Sequence, residues 1–175
     1  MNTKNNKRKR ESQKRIKEVF FDLVQKKELN RIKVSEICQG AKINRSTFYA
    51  NYIDIYDLAD KLFLDMGQEI EGLFDEKKAL IPNEDMFLKI LTHIKNNQKE
   101  YKICFKLGYE TRAWRIKFFD ENILKSEESA EYRIEFFKGG FNAIIKKWIE
   151  NNCIESPEEI CNIFIHEYRG RLIER

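Results

Sequence analysis

The spacing of apolar residues limits most strongly the folds open to this chain. Apolar side chains recur every three or four positions, as at Ile16, Val19, Phe20, Leu23 and Val24, which places them along one stripe of a helix. No segment alternates apolar and polar residues with the period of two that is typical of strands, and no Asn-Gly or Asp-Gly hairpin turn occurs. The sequence therefore predicts an all-α fold.

Composition narrows the class of protein. Of the 175 residues, 42% are hydrophobic and 35% are charged, a mixture that can bury a core and excludes wholesale disorder. No apolar run approaches the roughly 18 to 20 residues of a membrane-spanning helix. The basic first residues are not followed by the apolar stretch of a secretory signal. These features predict a soluble protein of the cytoplasm.

The sequence carries no recognisable catalytic or metal-binding pattern. Its four cysteines are scattered, form no Cys-x-x-Cys pair and have no histidine at ligand spacing, so we expect ordinary reduced thiols. Walker loops and the GxSxG, HExxH and GxGxxG motifs are absent. We therefore expect no catalytic residues, no metal and no cofactor, and an enzyme is not favoured.

Charge divides the chain into two parts. Residues 1–56 hold 14 Lys+Arg and 6 Asp+Glu, a net charge of +8, whereas residues 57–175 hold 19 and 23, a net charge of −4. We expect these two ranges to be two domains. A basic domain is typical of a protein that binds a polyanion, although a solvated basic tail would show the same charge.

The basic part predicts three helices. Lys4 to Arg10 contains no apolar residue and is expected to be a mobile arm, with the first helix starting at Ser12. A short second helix carries Ile37 and stops near Gly40. Asn44 is a suitable N-cap for a third helix from Arg45 to about residue 51. Two short helices behind a supporting helix are typical of a helix-turn-helix unit.

The third helix has the chemistry of a nucleic-acid reader. Phe48 and Tyr52 lie four residues apart, so both are predicted to face the first helix. The other side chains form hydrogen bonds, and no acidic residue lies between Asn44 and Ile53. Arg and Asn can contact base edges through paired bonds, while hydroxyl groups suit phosphate oxygens.

In the acidic part, too, the apolar residues recur with the period of a helix. Leu58, Leu62, Met66, Ile70 and Leu73 or Phe74 predict one stripe along a helix of about 25 residues. Further helices are predicted after Asn83, after Asn97, from Trp114 to Leu124, from Tyr132 to Glu150 and from Pro157 to Leu172, the last with a capping box in Ser156-Pro157-Glu158-Glu159.

The residues from Ile32 to Leu58, IKVSEICQGAKINRSTFYANYIDIYDL, resemble the helix-turn-helix of the TetR family, the tetracycline-repressor-like regulators. The similarity includes the specific Thr47-Phe48-Tyr49. Residues 132–159, with the Gly139-Gly140 pair, look like the dimer-forming end of a Firmicutes-type TetR ligand-binding region. The resemblance implies an N-terminal DNA-binding domain followed by a helical regulatory and dimerisation domain.

By this resemblance, Thr47 and Tyr49 would contact phosphates, and Arg45, Ser46 and Asn51 would contact bases or nearby phosphates. Two positions depart from the family pattern. Lys42 stands where glycine is usual, and Ile55 stands where a phosphate-contacting lysine is usual, so Lys33, Lys42 or the basic arm would have to replace that contact. The complete set of expected DNA-binding residues is Lys33, Lys42, Asn44, Arg45, Ser46, Thr47, Tyr49, Asn51 and Tyr52.

The expected partner is a palindromic DNA operator, bound by a homodimer that presents two recognition helices to successive major grooves. The residues expected at the dimer interface are Phe137, Phe141, Ile144, Ile145, Trp148, Ile160, Ile163 and Phe164. Close helix approach would explain Gly139-Gly140, and a local kink would explain the pair equally well.

A set of aromatic residues is a candidate apolar effector pocket, although aromatics at helical spacing are more often plain core. The candidates are Phe105, Tyr109, Trp114, Phe118 and Phe119. An effector would shift the population away from the DNA-binding conformation, with the long helix near Tyr56 as the connection. Repression is favoured over activation. The alternatives are an activator or co-regulator controlled by a protein partner, or a helical interaction module without DNA binding.

Overall fold

The structure, a computed structural model, describes residues 4–73, 83–110 and 130–168. The regular elements in these ranges are all helical, which confirms the predicted all-α fold. They are α1 (Lys4–Lys26), a 3-10 helix (Leu29–Arg31), α2 (Val34–Ala41), α3 (Arg45–Tyr49), α4 (Ile55–Glu71), α5 (Glu84–Asn96), α6 (Gln98–Lys106), α7 (Ala130–Glu150) and α8 (Pro157–Tyr168).

The chain divides into two compact units, Met1–Asp65 and Met66–Arg175. The division falls inside α4, somewhat later than the boundary at residues 56 and 57 that the charge distribution suggested. Each unit has its own apolar core.

The first unit is built around the apolar stripe of α1. Ile16, Phe20 and Val24 are completely buried on this stripe. Helix α2 packs closely against α1 at Gly40, where a Cβ atom would lie 2.8 Å from Cγ1 of Val19. A larger residue at position 40 would therefore force the two helices apart.

Helix α1 starts earlier than the sequence predicted. It begins at Lys4, so the segment expected to be a mobile arm is part of the helix, and its side chains from Asn6 to Arg10 are exposed. Ser12 Oγ donates a hydrogen bond to the carbonyl of Arg8 at 3.0 Å, inside the helix. Lysine and arginine favour helix without contributing to an apolar period, which is why the pattern gave no sign of these turns.

Helix α4 is shorter than predicted, with 17 residues instead of about 25. Its predicted stripe of Leu58, Leu62, Met66 and Ile70 is buried. The helix ends at Glu71, and Gly72 follows in a turn. Glycine weakens a helix because it loses the most backbone freedom on folding, so it is a natural place for this one to end.

The second unit has an aromatic core centred on Phe87 of α5. Its ring lies 5.5 Å from that of Phe164 in α8, and the rings of Phe137 and Phe141 in α7 lie 6.2 and 6.4 Å away. Helix α5 packs against α8, and α6 packs against α7. These contacts join helices that are distant in sequence into one core.

Both predicted caps in the second unit are present. Asn83 Oδ1 accepts a hydrogen bond from the backbone N–H of Met86 at 2.9 Å, at the start of α5. At the start of α8, Ser156 and Glu159 form the predicted reciprocal box at 2.7 and 3.1 Å. The helix predicted from Trp114 to Leu124 and the end of the last one lie outside the described residues.

The four cysteines, Cys38, Cys104, Cys153 and Cys161, are buried free thiols, as expected. Burial raises the pKa of Cys104 to about 12 and that of Cys161 to about 11, so both thiols stay protonated at neutral pH. Within the described ranges, no helix is both long enough and apolar enough to cross a membrane.

Candidate nucleic-acid interface

The turn between α2 and α3 depends on an unusual backbone conformation at Lys42. This residue has a φ of 52° and a ψ of 52°, in the left-handed region that favours glycine. The N–H of Lys42 donates to the carbonyl of Gln39 at 3.2 Å, and that of Ile43 donates to the carbonyl of Cys38 at 3.0 Å. A lysine thus adopts a left-handed conformation at the position where the family usually has glycine, and its Cβ atom makes this conformation strained.

Helix α3 is held in place by Phe48. This side chain is completely buried, and its ring lies 5.5 Å from the rings of both Tyr49 and Tyr52. Tyr52 is 6% exposed, and the ammonium of Lys61 lies 5.6 Å above its ring. The prediction that Phe48 and Tyr52 anchor this helix is confirmed.

Tyr52 was also among the expected DNA-binding residues, and its burial contradicts that role. Burial, with smaller contributions from Asp65 and Asp57, raises the pKa of Tyr52 to about 12. The hydroxyl is thus neutral, and the ring belongs to the core of the unit. Tyr52 lies four residues after Phe48, so the two rings share the buried side of this segment.

The outer face of α3 presents hydrogen-bonding side chains. Arg45 and Ser46 are exposed, Thr47 is half-buried and Tyr49 is 54% exposed. Asn44 is exposed at the N-cap, but its side chain does not cap the helix as predicted; its backbone carbonyl accepts from the N–H of Thr47 at 3.0 Å instead. These five residues are therefore accessible from outside the unit, and their contact with DNA stays a prediction.

Two of the candidate lysines stand at the two ends of α2. Lys33 precedes α2 and Lys42 follows it, and both are exposed. The carboxylate of Glu36 fixes the start of α2 by accepting from the backbone N–H of Lys33 at 2.9 Å and from the ammonium of Lys27. The bond to Lys27, followed by that to Lys33, holds the pKa of Glu36 below its usual range.

Asn51 has a structural role that the sequence did not reveal. Its Nδ2 donates to the carbonyl of Thr47 at 2.8 Å, and its Oδ1 accepts from Nε2 of Gln13 in α1 at 3.4 Å. Both ends of the amide are thus engaged within the protein. This arrangement gives Asn51 a structural role, and its contact with bases or phosphates stays a prediction, because each end of an amide can form a second hydrogen bond.

The start of α4 contains the second departure from the family pattern, after that at Lys42. Ile55, where a phosphate-contacting lysine was expected by resemblance, is 6% exposed and belongs to the core. Asp57 accepts from the backbone N–H of Ile53 at 2.8 Å and from the ammonium of Lys61 at 2.9 Å. These contacts, that to Lys61 first, hold the pKa of Asp57 below its usual range, so the carboxylate is ionised at neutral pH.

The expected dimer interface is largely core. Six of its eight residues are buried inside the single chain, where a second subunit has no access to them. The exceptions are Ile144, half-buried, and Ile163, 44% exposed. The six buried residues are Phe137, Phe141, Ile145, Trp148, Ile160 and Phe164. A helical period marks the buried stripe of a helix, and it does not tell whether its own chain or a partner covers that stripe.

Other side chains of α7 are exposed where the prediction placed none. Tyr132 is 80% exposed and Phe136 is 63% exposed. A Cβ atom added to Gly139 would meet no atom within 4 Å, so no described part of the chain approaches it closely. These residues form an exposed aromatic and small-residue face, which is called the α7 face below.

The expected effector pocket falls mainly outside the described residues. Trp114, Phe118 and Phe119 all lie in the range that the structure does not describe. Phe105 and Tyr109 are half-buried at the end of α6 and just after it.

Comparisons with known proteins agree with this geometry. A family model described as a transcriptional regulator C-terminal region, of the TetR type, matches residues 83–166. The HTH-type dhaKLM operon transcriptional activator DhaS of Lactococcus lactis subsp. lactis (strain IL1403) is 26% identical over 125 residues, which cover 69% of this chain and 65% of that protein. The match thus spans just under two thirds of the relative's length.

A solved structure has the same fold. The chain described as dihydroxyacetone kinase operon activator DhaS superposes with a TM-score of 0.63 and 21% identity, covering 92% of this chain and 96% of that one. These matches are to transcription regulators, and together with the helix-turn-helix geometry they support the resemblance of Ile32 to Leu58 to the TetR family.

Proposed function

We propose that this protein binds a specific DNA operator as a homodimer, with α3 of each subunit in the major groove. The outer face of α3 carries this proposal. Arg45, Ser46 and Tyr49 are exposed on a helix that Phe48 fixes from beneath, and no acidic side chain lies among them. Such a face can approach phosphates without repulsion and still offer donors to base edges.

Each side chain has a proposed role. Arg45, at the first position of α3, reads a base edge, since the first residues of a recognition helix are those that reach into the groove. Ser46 and Asn44 contact bases or the adjoining backbone. Thr47 and Tyr49 donate hydroxyl groups to phosphates, and the exposed ammonium groups of Lys33 and Lys42 bind phosphates on either side.

The α7 face is the proposed dimer surface. Its two aromatic rings, Tyr132 and Phe136, lie one helical turn apart, and Gly139 follows within the next turn. Large exposed aromatics next to a glycine favour close packing against a twin helix, because a twofold interface brings the same surface of both subunits together. Ile163 of α8 adds a further exposed apolar side chain.

Activation is the proposed outcome of binding. The sequence alone favoured repression, but both relatives reported above are named as activators of an operon. Their names support activation here, by a dimer that binds beside a promoter. A reporter gene placed behind the operator distinguishes activation from repression. Deletion of the gene for this protein lowers expression of the reporter if the protein is an activator and raises it if the protein is a repressor.

Control by an effector or by a protein partner stays a prediction. Linkage requires that such a ligand bind better to one of two conformations that differ in operator affinity. Helix α4 is continuous from Ile55 to Glu71 and is the proposed connection between the two regions.

The direct test of the DNA-reading face uses two arginines. Arg45→Ala is expected to lower operator affinity by roughly 1 to 3 kcal/mol and to relax the preference at one base pair. Arg15→Ala removes an equal charge from an exposed position on α1, roughly 200° around that helix from Gln13, and is the matched control. Equal small losses for both variants would contradict the proposal.

A further inference from the structure

The backbone N–H groups at the start of α4 are already occupied by the protein's own carboxylates. Asp57 accepts from the N–H of Ile53, and Asp54 accepts from the N–H of Asp57, both at 2.8 Å. A phosphate at this place would have to displace these bonds and would meet two negative charges. With Ile55 buried as well, the duplex backbone needs its cations from another part of the unit.

The first turns of α1 carry cations that are available for this purpose. Lys7, Arg8, Lys9 and Arg10 are all exposed, and none of them forms an ion pair with another described residue. This stretch is helical, so the charges hold fixed positions around one axis instead of sampling the orientations of a loose tail.

A polar continuation of the buried stripe of α1 indicates which cations lie on the side of this helix that contacts Asn51. Phe20 and Ile16 are completely buried, and the next positions on their stripe are Gln13 and Lys9, at steps of three and four residues. Gln13 contacts Asn51, which directly follows α3 in the chain after Ala50. Lys9, and Arg10 beside it, therefore lie one turn beyond the point where α1 contacts the end of the recognition segment.

This stripe does not suit an apolar protein partner. Where α1 packs on its own core the stripe is apolar, and where it extends past the core the same stripe becomes amide and ammonium. A surface of this kind, next to a helix that reads DNA, suits the anionic backbone of the same duplex.

We propose that Lys9 and Arg10 of α1 bind DNA phosphates next to the bases read by α3, in place of the contact absent at the start of α4. This inference rests on the proposed function and specifies which surface outside the helix-turn-helix touches the operator. The contact holds the backbone and reads no base, so it contributes affinity on any sequence.

The test compares two double variants that lose the same charge. Lys9→Gln with Arg10→Gln removes the proposed contacts, whereas Arg8→Gln with Arg15→Gln removes two cations from the opposite side of α1. Glutamine keeps helix propensity high, and circular dichroism of both variants checks that α1 is retained.

The first variant is expected to lose about tenfold or more in operator affinity. Because each subunit of the proposed dimer loses two phosphate contacts, the slope of log affinity against log salt is expected to become shallower by about 3 to 4. Ethylation interference is expected to lose protection at phosphates flanking each half-site. The control is expected to change affinity less than about threefold, with the phosphate pattern intact.

Equal losses of operator affinity in both double variants would show that only the overall charge matters, and this would overturn the inference. Unchanged operator affinity in the Lys9→Gln and Arg10→Gln variant would overturn it as well. Failure of the unchanged protein to bind any duplex contradicts the proposed function itself. The two failures are therefore distinguishable in one set of titrations.

Discussion

Gln13 of α1 donates a hydrogen bond from Nε2 to Oδ1 of Asn51, at 3.4 Å and across 38 residues of sequence. The same Asn51 amide also donates to the carbonyl of Thr47 at 2.8 Å. One amide thus connects the supporting helix to the last turn of α3. The orientation of the proposed DNA-reading face depends on α1 through this contact, in addition to the apolar packing of Phe48.

Asn51→Ala is expected to lower the free energy of unfolding by about 1 to 2 kcal/mol, because two neutral hydrogen bonds of roughly 0.5 to 1.5 kcal/mol each are lost. Operator affinity falls on all sequences alike, since the helix is less well held. Asn30→Ala, at an exposed position, is the control. Urea denaturation and a base-by-base specificity profile measure both effects. Relaxed preference at one base pair would show that Asn51 reads a base after all.

Phe48→Ala and Tyr49→Ala separate anchoring from contact with DNA. Loss of the completely buried Phe48 leaves a cavity and is expected to cost about 3 to 5 kcal/mol of unfolding free energy. Tyr49 is 54% exposed, so its loss is expected to cost less than about 1 kcal/mol while operator affinity falls. Similar stability losses in the two variants would contradict the placement of these neighbouring rings.

Lys42→Gly is expected to raise the free energy of unfolding by about 1 kcal/mol, because glycine adopts the left-handed conformation without the Cβ penalty. Lys42→Ala keeps the Cβ atom and is expected to bring no such gain. Both variants remove the ammonium, so we expect the same loss of operator affinity from each. Thermal unfolding together with DNA titration makes the comparison, and equal stability of the two variants would refute the strain at this turn.

If the α7 face forms the proposed dimer, Phe136→Asp is expected to convert that dimer to a monomer, because it puts a charge in the centre of the face. Ile154→Asp is the matched control, since Ile154 is 80% exposed in the turn between α7 and α8 and lies outside that face. Sedimentation analysis gives the molecular mass of each variant. A dimer that tolerates Phe136→Asp but dissociates with Ile154→Asp would place the interface elsewhere.

The pKa of Glu36 is lower in the folded chain than its ordinary value of 4.5, mainly because of Lys27. The unfolded state therefore takes up its proton first, and the stability that Glu36 contributes is complete above about 4.5 and lost as the pH falls through the folded value. We expect the unfolding free energy to decline less steeply for Glu36→Gln than for the unchanged protein, in urea titrations between about pH 6 and pH 3 at low salt. The same decline of the unfolding free energy with falling pH in both proteins would contradict a contribution of Glu36 to stability.

Much of the fold was predictable because it depends on local signals. The stripe of α4, the Asn83 cap and the box at Ser156 and Glu159 each arise from residues within a few positions of one another. The buried anchor Phe48 was predictable for the same reason. The early start of α1 was not, since lysine and arginine support a helix without marking one of its faces.

The errors at the site have a common physical cause. The roles of Tyr52 and Phe137 depend on which other part of the chain covers them, and that is a property of tertiary packing. A polar residue on a predicted outer face can be engaged by a distant partner, as Asn51 is by Gln13. Likewise, the apolar stripe of α7 is already buried within a single chain, without a second subunit.

The most direct measurement of the central proposal is selection of bound duplexes from a random DNA pool by the purified protein. We expect enrichment of a site with twofold symmetry, whose half-sites lie about 34 to 36 Å apart, one helical turn of DNA or a multiple of it. We also expect its affinity to fall by about 10³ to 10⁵ between 50 and 200 mM salt. A pool that shows no enrichment even at low ionic strength, from a protein that sediments as a monomer, would contradict the proposed DNA-binding dimer.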